Sequence, residues 1–300
     1  MTVVSATDLT RRFGSITALD GVTFELPAGG VIGLVGPNGS GKSTLIRTLL
    51  GLLRPTSGEA TVLGHTISAP KAYASEVGVM IEGPAFIGGL SARANLASLA
   101  RLHGTPQSRV GEVLAQVGLL GRDWEPVRRF SLGMKQRLGI AAALLTDPRL
   151  LILDEPTNGL DPAGIVEIRE LLRGLAGRER TVIVSSHLLS ELEAICDHLV
   201  IIRFGELLFA GPMREMLART RAHIDIVPEH DADSERLAAA LLAAGWQVGT
   251  HRGTIRVVAA ADRAAELNRA AAAAGITLRG IVVVQDSLEE LFLEMTERAA

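Results

Sequence analysis

The chain has 300 residues, 47% of them hydrophobic, a formal net charge of −3 and one cysteine. That length supports two cored domains, the acidic balance gives nucleic acid no electrostatic hold, and a single thiol excludes an internal disulfide. The opening stretch MTVVSATDLTRRF lacks the charged-then-apolar order of a signal peptide, and no apolar run approaches the ~20 residues that span a bilayer; the expectation is a cytosolic chain that reaches a membrane only through a partner.

The first third reads as strand-rich, with β-branched segments near 2–9, 22–26 and 31–35 bounded by Gly or Pro. Directly after the third segment, VIGLVGPNGSGKSTLIRTLLG carries the pattern G-x-x-x-x-G-K-[ST] from Gly36 to Ser43 and then turns helical. A strand before and a helix after are the context this pattern requires. The loop Gly36, Pro37, Asn38, Gly39, Ser40 and Gly41, with Lys42, Ser43 and Thr44 opening the helix, is expected to wrap the phosphates of a nucleoside triphosphate. Its glycines let backbone N–H groups turn inward, and the helix N-terminus adds positive potential. Lys42 reaches the β- and γ-phosphates, and the Ser43 hydroxyl is a ligand for Mg²⁺.

From about Ser91 the pattern becomes helical. LSARANLASLARLHG runs from a Ser cap to Gly104, SRVGEVLAQVGLLG follows, and a third helix starts near Leu132 and runs through GIAAALL to Pro148. Strand and helix then alternate: LLILD, a helix around 162–176, TVIVSS, a helix around 188–196, and HLVIIR. Continuous apolar strands between helices predict a parallel sheet covered on both faces. The first of these strands ends in LLILDEPTNGLDP, where an apolar run meets two adjacent carboxylates. Like charges side by side repel, and a bound cation is the natural compensation. Beside a phosphate loop, Asp154 is placed to hold Mg²⁺, and Glu155 to orient or deprotonate a water in line with the γ-phosphate. Cys196, in ELEAICDHLVII, reads as a packed core thiol.

Beyond about residue 220 the segments HIDIV, SERLAAALLAAG, WQVGT, TIRVV, DRAAELNRAAAAAG and TLRGIVVVQ follow in turn. Their order, strand–helix–strand–strand–helix–strand, predicts a small α+β domain of split-βαβ, ferredoxin-like type over 221–300. SLEELFLEMTER reads as a terminal helix, with Ser287 and Glu290 spaced as a capping box. Leu288, Leu291, Phe292 and Met295 form its apolar stripe, which either packs on its own domain or meets a partner.

Further motifs discriminate among phosphate-loop proteins. FSLGMKQRLGIAAALL at 130–145, LLILDEPTNGLD, and a strand ending in SSH at 185–187 follow the loop in that order. Together they resemble the ATP-binding cassette (ABC) family of transporter ATPases over residues 1 to about 220. The stretches IEGPAF, SLGMKQRLGIA and SSHLLSELEAICD, with the C-terminal extension, are similar to the ATPase subunits of bacitracin- and daunorubicin-type exporters. The resemblance implies an α/β core, a mixed sheet with flanking helices, joined to an antiparallel β subdomain and a helical subdomain over about 88–147.

The same resemblance implies roles for individual residues. Phe13 sits where the family places an aromatic against adenine, although alone it would equally read as a core residue. Ser131 and Gly133 fall in the signature that contacts the γ-phosphate held by a second copy; Leu132 and Met134 replace its usual Gly and Gln. Asp161 matches the loop linking the two sites of the dimer, and His187 the histidine that contacts the γ-phosphate. Glu82 stands nearest the usual Mg²⁺-sensing Gln, the other reading being a surface Glu before a Pro turn. The implied function is ATP hydrolysis by a homodimer at the inner face of the membrane. It would drive a permease on a separate chain that exports antibiotics, peptides or other amphipathic compounds. Two rivals are a soluble cassette protein acting on ribosomes or DNA, and a weakly hydrolysing nucleotide-binding regulator. The first usually brings tandem cassettes, long coiled coils or basic extensions; the second fits poorly with Asp154, Glu155 and His187 together.

Overall fold

The computed structural model describes residues 1–81, 85–218, 222–251, 254–285, 288 and 291. It opens with an antiparallel hairpin, β1 (Thr2–Phe13) and β2 (Ile16–Pro27). Both strands outrun their sequence segments. Register shifts near Ala6 and Leu9, with Asp8 at φ 48°, break the alternation that marks a regular strand. After β3 (Gly30–Val35) and α1 (Lys42–Leu49), β4 (Ser57–Val62) and β5 (His65–Thr66) complete a four-stranded antiparallel sheet, β2–β1–β4–β5.

A second sheet is built from β3, β6 (Val77–Met80), β7 (Leu150–Leu153), β8 (Thr181–Ser186), β9 (His198–Arg203) and β10 (Glu206–Pro212). Its order is β10–β9–β3–β8–β7–β6, parallel throughout except for β10, which runs antiparallel to β9. The apolar face of the first sheet (Val4, Leu9, Phe24, Val62) meets Ile32, Ile152, Ile183 and Val200 of the second, with Leu45, Ile46 and Leu49 of α1 in the same core. Burying each such side chain contributes about 1.5–3 kcal/mol.

Between β6 and β7 lie α2 (Ala92–Leu102), α3 (Ser108–Gln116) and α4 (Leu132–Ala143). Ser91 caps α2 by accepting from the Ala94 amide at 3.1 Å. The third helix ends at Ala143 rather than at Pro148. A residue before proline is pushed out of the helical region, and here Asp147 sits at φ 51° with its carboxylate held by Arg109 and Arg180, each at 2.7 Å. α5 (Pro162–Leu175) follows β7, and α6 (Leu189–Glu193) follows β8. α6 stops short of residue 196 because the chain turns there into β9, where the Asp197 carboxylate accepts the Val31 amide at 2.9 Å. Cys196 is buried, and that desolvation pushes its thiol pKa up.

Contacts divide the chain into two units, Met1–Met213 and Arg214–Ala300, with α7 (Met213–Leu217) at the junction. The second unit holds β11 (Ala222–Pro228), α8 (Ser234–Ala243), β12 (Val248–His251), β13 (Thr254–Val258), α9 (Ala264–Ala273) and β14 (Leu278–Gln285). Its antiparallel sheet has the order β12–β13–β11–β14, the split-βαβ arrangement. Ile224, Ile226, Leu237, Leu241, Ile255 and Leu267 give this unit a core of its own. Of the terminal helix, Leu288 and Leu291 are described; Ser287, Glu290, Phe292 and Met295 lie outside the described residues. Among the described residues no helix is long and apolar enough to cross a membrane.

Candidate functional site

Strand order brings the chemistry together. β8 lies between β3 and β7, with Val35 opposite Ser186 and Leu153 opposite Val184. The carboxyl ends of the three strands therefore open at one level, where ligands of α/β sheets bind. They deliver the Gly36–Gly41 loop, the Ser185–His187 stretch and the Asp154–Glu155 pair to one cleft of ≈ 360 Å³, lined by Ala18, Asn38–Thr44, Glu155, Asn158 and His187.

The loop follows a path that only glycine permits. A Cβ on Gly36 would lie 2.2 Å from the Ile202 carbonyl oxygen; Gly41, at φ 110°, would place one 2.5 Å from that of Ala18. Lys42 is buried and folds back over the loop, its Nζ donating to the carbonyls of Gly36 at 2.7 Å and Pro37 at 3.4 Å. The hydroxyl of Ser40, which also lines the cleft, is buried without a hydrogen-bond partner. A phosphate oxygen among these donors would satisfy it, so the loop fits the group its sequence implies.

The two carboxylates diverge. Asp154 is buried at the end of β7; its Oδ2 accepts from Ser43 Oγ at 2.9 Å and its Oδ1 from Ser185 Oγ at 2.5 Å. Glu155 sits at φ 49°, in the left-handed region that a bulky residue rarely enters. That turn aims its side chain away from Asp154: Oε1 lies 3.4 Å from Lys42 Nζ, and Oε2 lies 2.9 Å from His187 Nδ1. Among the described residues no group of three or more His, Cys, Asp or Glu could hold a metal unaided. Mg²⁺ commonly takes one or two protein oxygens, several waters and substrate phosphates, and the Ser43–Asp154 pair fits that pattern.

The other candidates lie elsewhere in the fold. Phe13, at the end of β1, is 42% exposed with the Arg11 guanidinium 4.4 Å over its ring, so it is no core residue. Ser131, Gly133 and Asp161 line a separate cleft of ≈ 510 Å³ together with Leu132, Met134 and Leu160. Ser131 caps α4 by accepting the Met134 amide at 3.2 Å, and Asp161 caps α5 by accepting the Gly164 amide at 3.0 Å. Glu82 lies outside the described residues. Sequence reasoning missed Asn158, Ser185 and the Thr157–Glu191–Ser186 cluster, in which Glu191 accepts from both hydroxyls at 2.7 and 3.0 Å. The available signal was the two serines that follow the apolar run VIV in the strand TVIVSS.

Residues 19–158 match the ABC transporter family. The chain is 39% identical to the bacitracin transport ATP-binding protein BcrA of Bacillus licheniformis, over 98% of this chain and 97% of that protein. It is 34% identical to the daunorubicin resistance ATP-binding protein DrrA3 of Streptomyces coeruleorubidus, over 98% and 96%. The solved structure of cbiO1 from Clostridium perfringens, part of the ABC transporter complex cbiONQ, matches with a TM-score of 0.66 and 27% identity, covering 73% of this chain and 91% of that one. The chain belongs to the ABC transporter family, as one of its ATP-hydrolysing subunits.

Proposed function

We propose that this subunit powers export of antibiotics, peptides or related amphipathic compounds through a permease on a separate chain, and that two copies close on two molecules of ATP with Mg²⁺. The carrying observation is that Lys42, Asp154, Glu155 and His187 meet at the carboxyl ends of three adjacent strands. The relatives named for bacitracin transport and daunorubicin resistance support an exporter over a cassette acting on ribosomes or DNA.

In this reading the loop amides and Lys42 neutralise the phosphate oxygens. Ser43 and Asp154 would hold Mg²⁺, which when bound would supply positive charge to the nucleotide's phosphates. Glu155 accepts the proton of the attacking water, and His187, oriented through Nδ1 by the Glu155 carboxylate at 2.9 Å, turns Nε2 to the γ-phosphate. Phe13 offers a ring face to adenine. Ser131, Gly133 and Asp161 line a cleft apart from the phosphate loop, which supports their completing the site of a second copy.

The test is Glu155→Gln. ATP affinity should be retained, turnover should fall about 10²–10⁴-fold with the proton acceptor gone, and ATP should accumulate a dimer visible by light scattering. Turnover at the wild-type level would overturn the assignment of Glu155. Co-purification with a membrane permease, and ATPase stimulation by that permease's transported compound, test the exporter half of the reading.

A further inference from the structure

We propose that Ser185 is a positioning residue for hydrolysis, one hydroxyl that sets the direction of both carboxylates. The inference rests on the reading of Asp154 and Glu155 given above and assigns what holds them in place. Ser185 is the penultimate residue of β8 and is 0% exposed. A serine hydroxyl has one hydrogen to donate and lone pairs to accept with. Here the hydrogen goes to Asp154 Oδ1 at 2.5 Å, and the oxygen accepts the Glu155 amide at 2.9 Å. The register that sets Leu153 opposite Val184 brings Ser185 abreast of Asp154 and makes both bonds possible.

Each bond has a separate consequence. The bond to Oδ1 is charge-assisted, the strong class of hydrogen bond; it fixes the carboxylate plane so that Oδ2 faces Ser43 Oγ at 2.9 Å. The bond from the Glu155 amide anchors a backbone at φ 49° that a glutamate would otherwise leave. With that turn held, the Glu155 side chain reaches Lys42 and His187 rather than lying beside Asp154. Packing alone does not account for a serine here. The strand TVIVSS favours β-branched apolar residues, and a fully buried hydroxyl costs free energy unless it is bonded. The neighbouring Ser186 serves a different end: its Oγ donates to Glu191 at 3.0 Å and accepts the Leu188 amide at 3.0 Å.

The experiment compares Ser185→Ala and Ser185→Thr with Glu155→Gln in the full chain. Steady-state ATPase kinetics, thermal stability, and the affinity of a fluorescent ATP analogue with Mg²⁺ and in EDTA are the readouts. Loss of a partner that orients a metal ligand commonly lowers activity or metal affinity ~10–100-fold. Ser185→Ala should therefore lower kcat ~10–100-fold and shrink the factor by which Mg²⁺ tightens analogue binding, with KM for ATP rising by no more than that lost factor. Affinity in EDTA should stay at the wild-type value, and Ser185→Thr, which keeps the hydroxyl, should restore most of kcat. A wild-type kcat in Ser185→Ala overturns the proposal. So does a loss of analogue binding in EDTA together with thermal stability, which marks a purely structural serine. If Ser185→Thr does not fold, an unchanged Mg²⁺ effect in Ser185→Ala still overturns it. An inactive Glu155→Gln beside a normal Ser185→Ala removes only the positioning role; an active Glu155→Gln removes the reading beneath it as well.

Discussion

Lys42 is buried at the head of α1, and its ammonium donates to two loop carbonyls while standing 3.4 Å from Glu155. It is thus held in place before any phosphate arrives, so little ordering remains to oppose nucleotide binding. Hydrogen bonds to charged groups contribute about 1.5–3 kcal/mol. Lys42→Ala should therefore weaken ATP binding about 10- to 100-fold, as read by equilibrium titration with a fluorescent analogue; unchanged affinity would count against the cradle. His187 touches the site differently, through Glu155 Oε2 at 2.9 Å and from a half-exposed position. Removing one preorganised donor to developing charge costs about 10²–10³ in kcat. His187→Ala should show that loss in turnover with nucleotide affinity kept, the reverse of the Lys42 variant.

Secondary-structure elements are locked together by close backbone approach in one place and by polar side chains in another. In β6, a Cβ on Gly78 would fall 2.1 Å from the Ala143 carbonyl oxygen at the end of α4. The obstruction is backbone, which cannot swing aside as a side chain can. Overpacking of this kind costs about 1–3 kcal/mol, and each kcal/mol lowers Tm by about 2–4 °C in a domain of this size. Gly78→Ala should melt several degrees lower by calorimetry while binding nucleotide normally when folded; an unchanged Tm would mean that α4 lifts off β6 at no cost. The loop after β7 is tied instead by hydroxyls, since Thr157 and Ser186 both donate to Glu191 of α6. That cluster joins the segment carrying Glu155 and Asp161 to the one carrying His187.

At the scale of the whole molecule, each of the two units has a core of its own among the described residues. Val4, Ile32, Leu45 and Ile183 belong to the first, and Ile224, Leu237, Ile255 and Leu267 to the second. The residues of the phosphate cleft all lie in the first unit. A chain truncated after residue 220 should therefore keep its nucleotide affinity, measured with the same fluorescent analogue. We propose that the second unit steadies the pair of subunits or helps dock the permease, so self-association by analytical ultracentrifugation, or export with the permease, should weaken. Full export by the truncated chain, or loss of nucleotide binding in a fragment that still melts cooperatively, would contradict this.

What the sequence determined by itself was everything that local backbone geometry dictates. Gly36 to Gly41 must form a loop between strand and helix wherever it lies, and Ser91, Ser131 and Asp161 cap the helices they precede. The alternation of strands and helices was legible because apolar periodicity reports how one element faces the core. It faded where that periodicity breaks, as at the Asp8 bulge in β1. Only the tertiary structure decided which polar groups meet. Ser43 and Asp154 are 111 residues apart, and Ser185 and Asp154 31 apart, yet both pairs bond within 3 Å. Those contacts depend on β8 lying between β3 and β7 and on its register against β7. A hydroxyl in an apolar strand carries no local mark of the carboxylate it will face, because its partner is set by the packing of other segments.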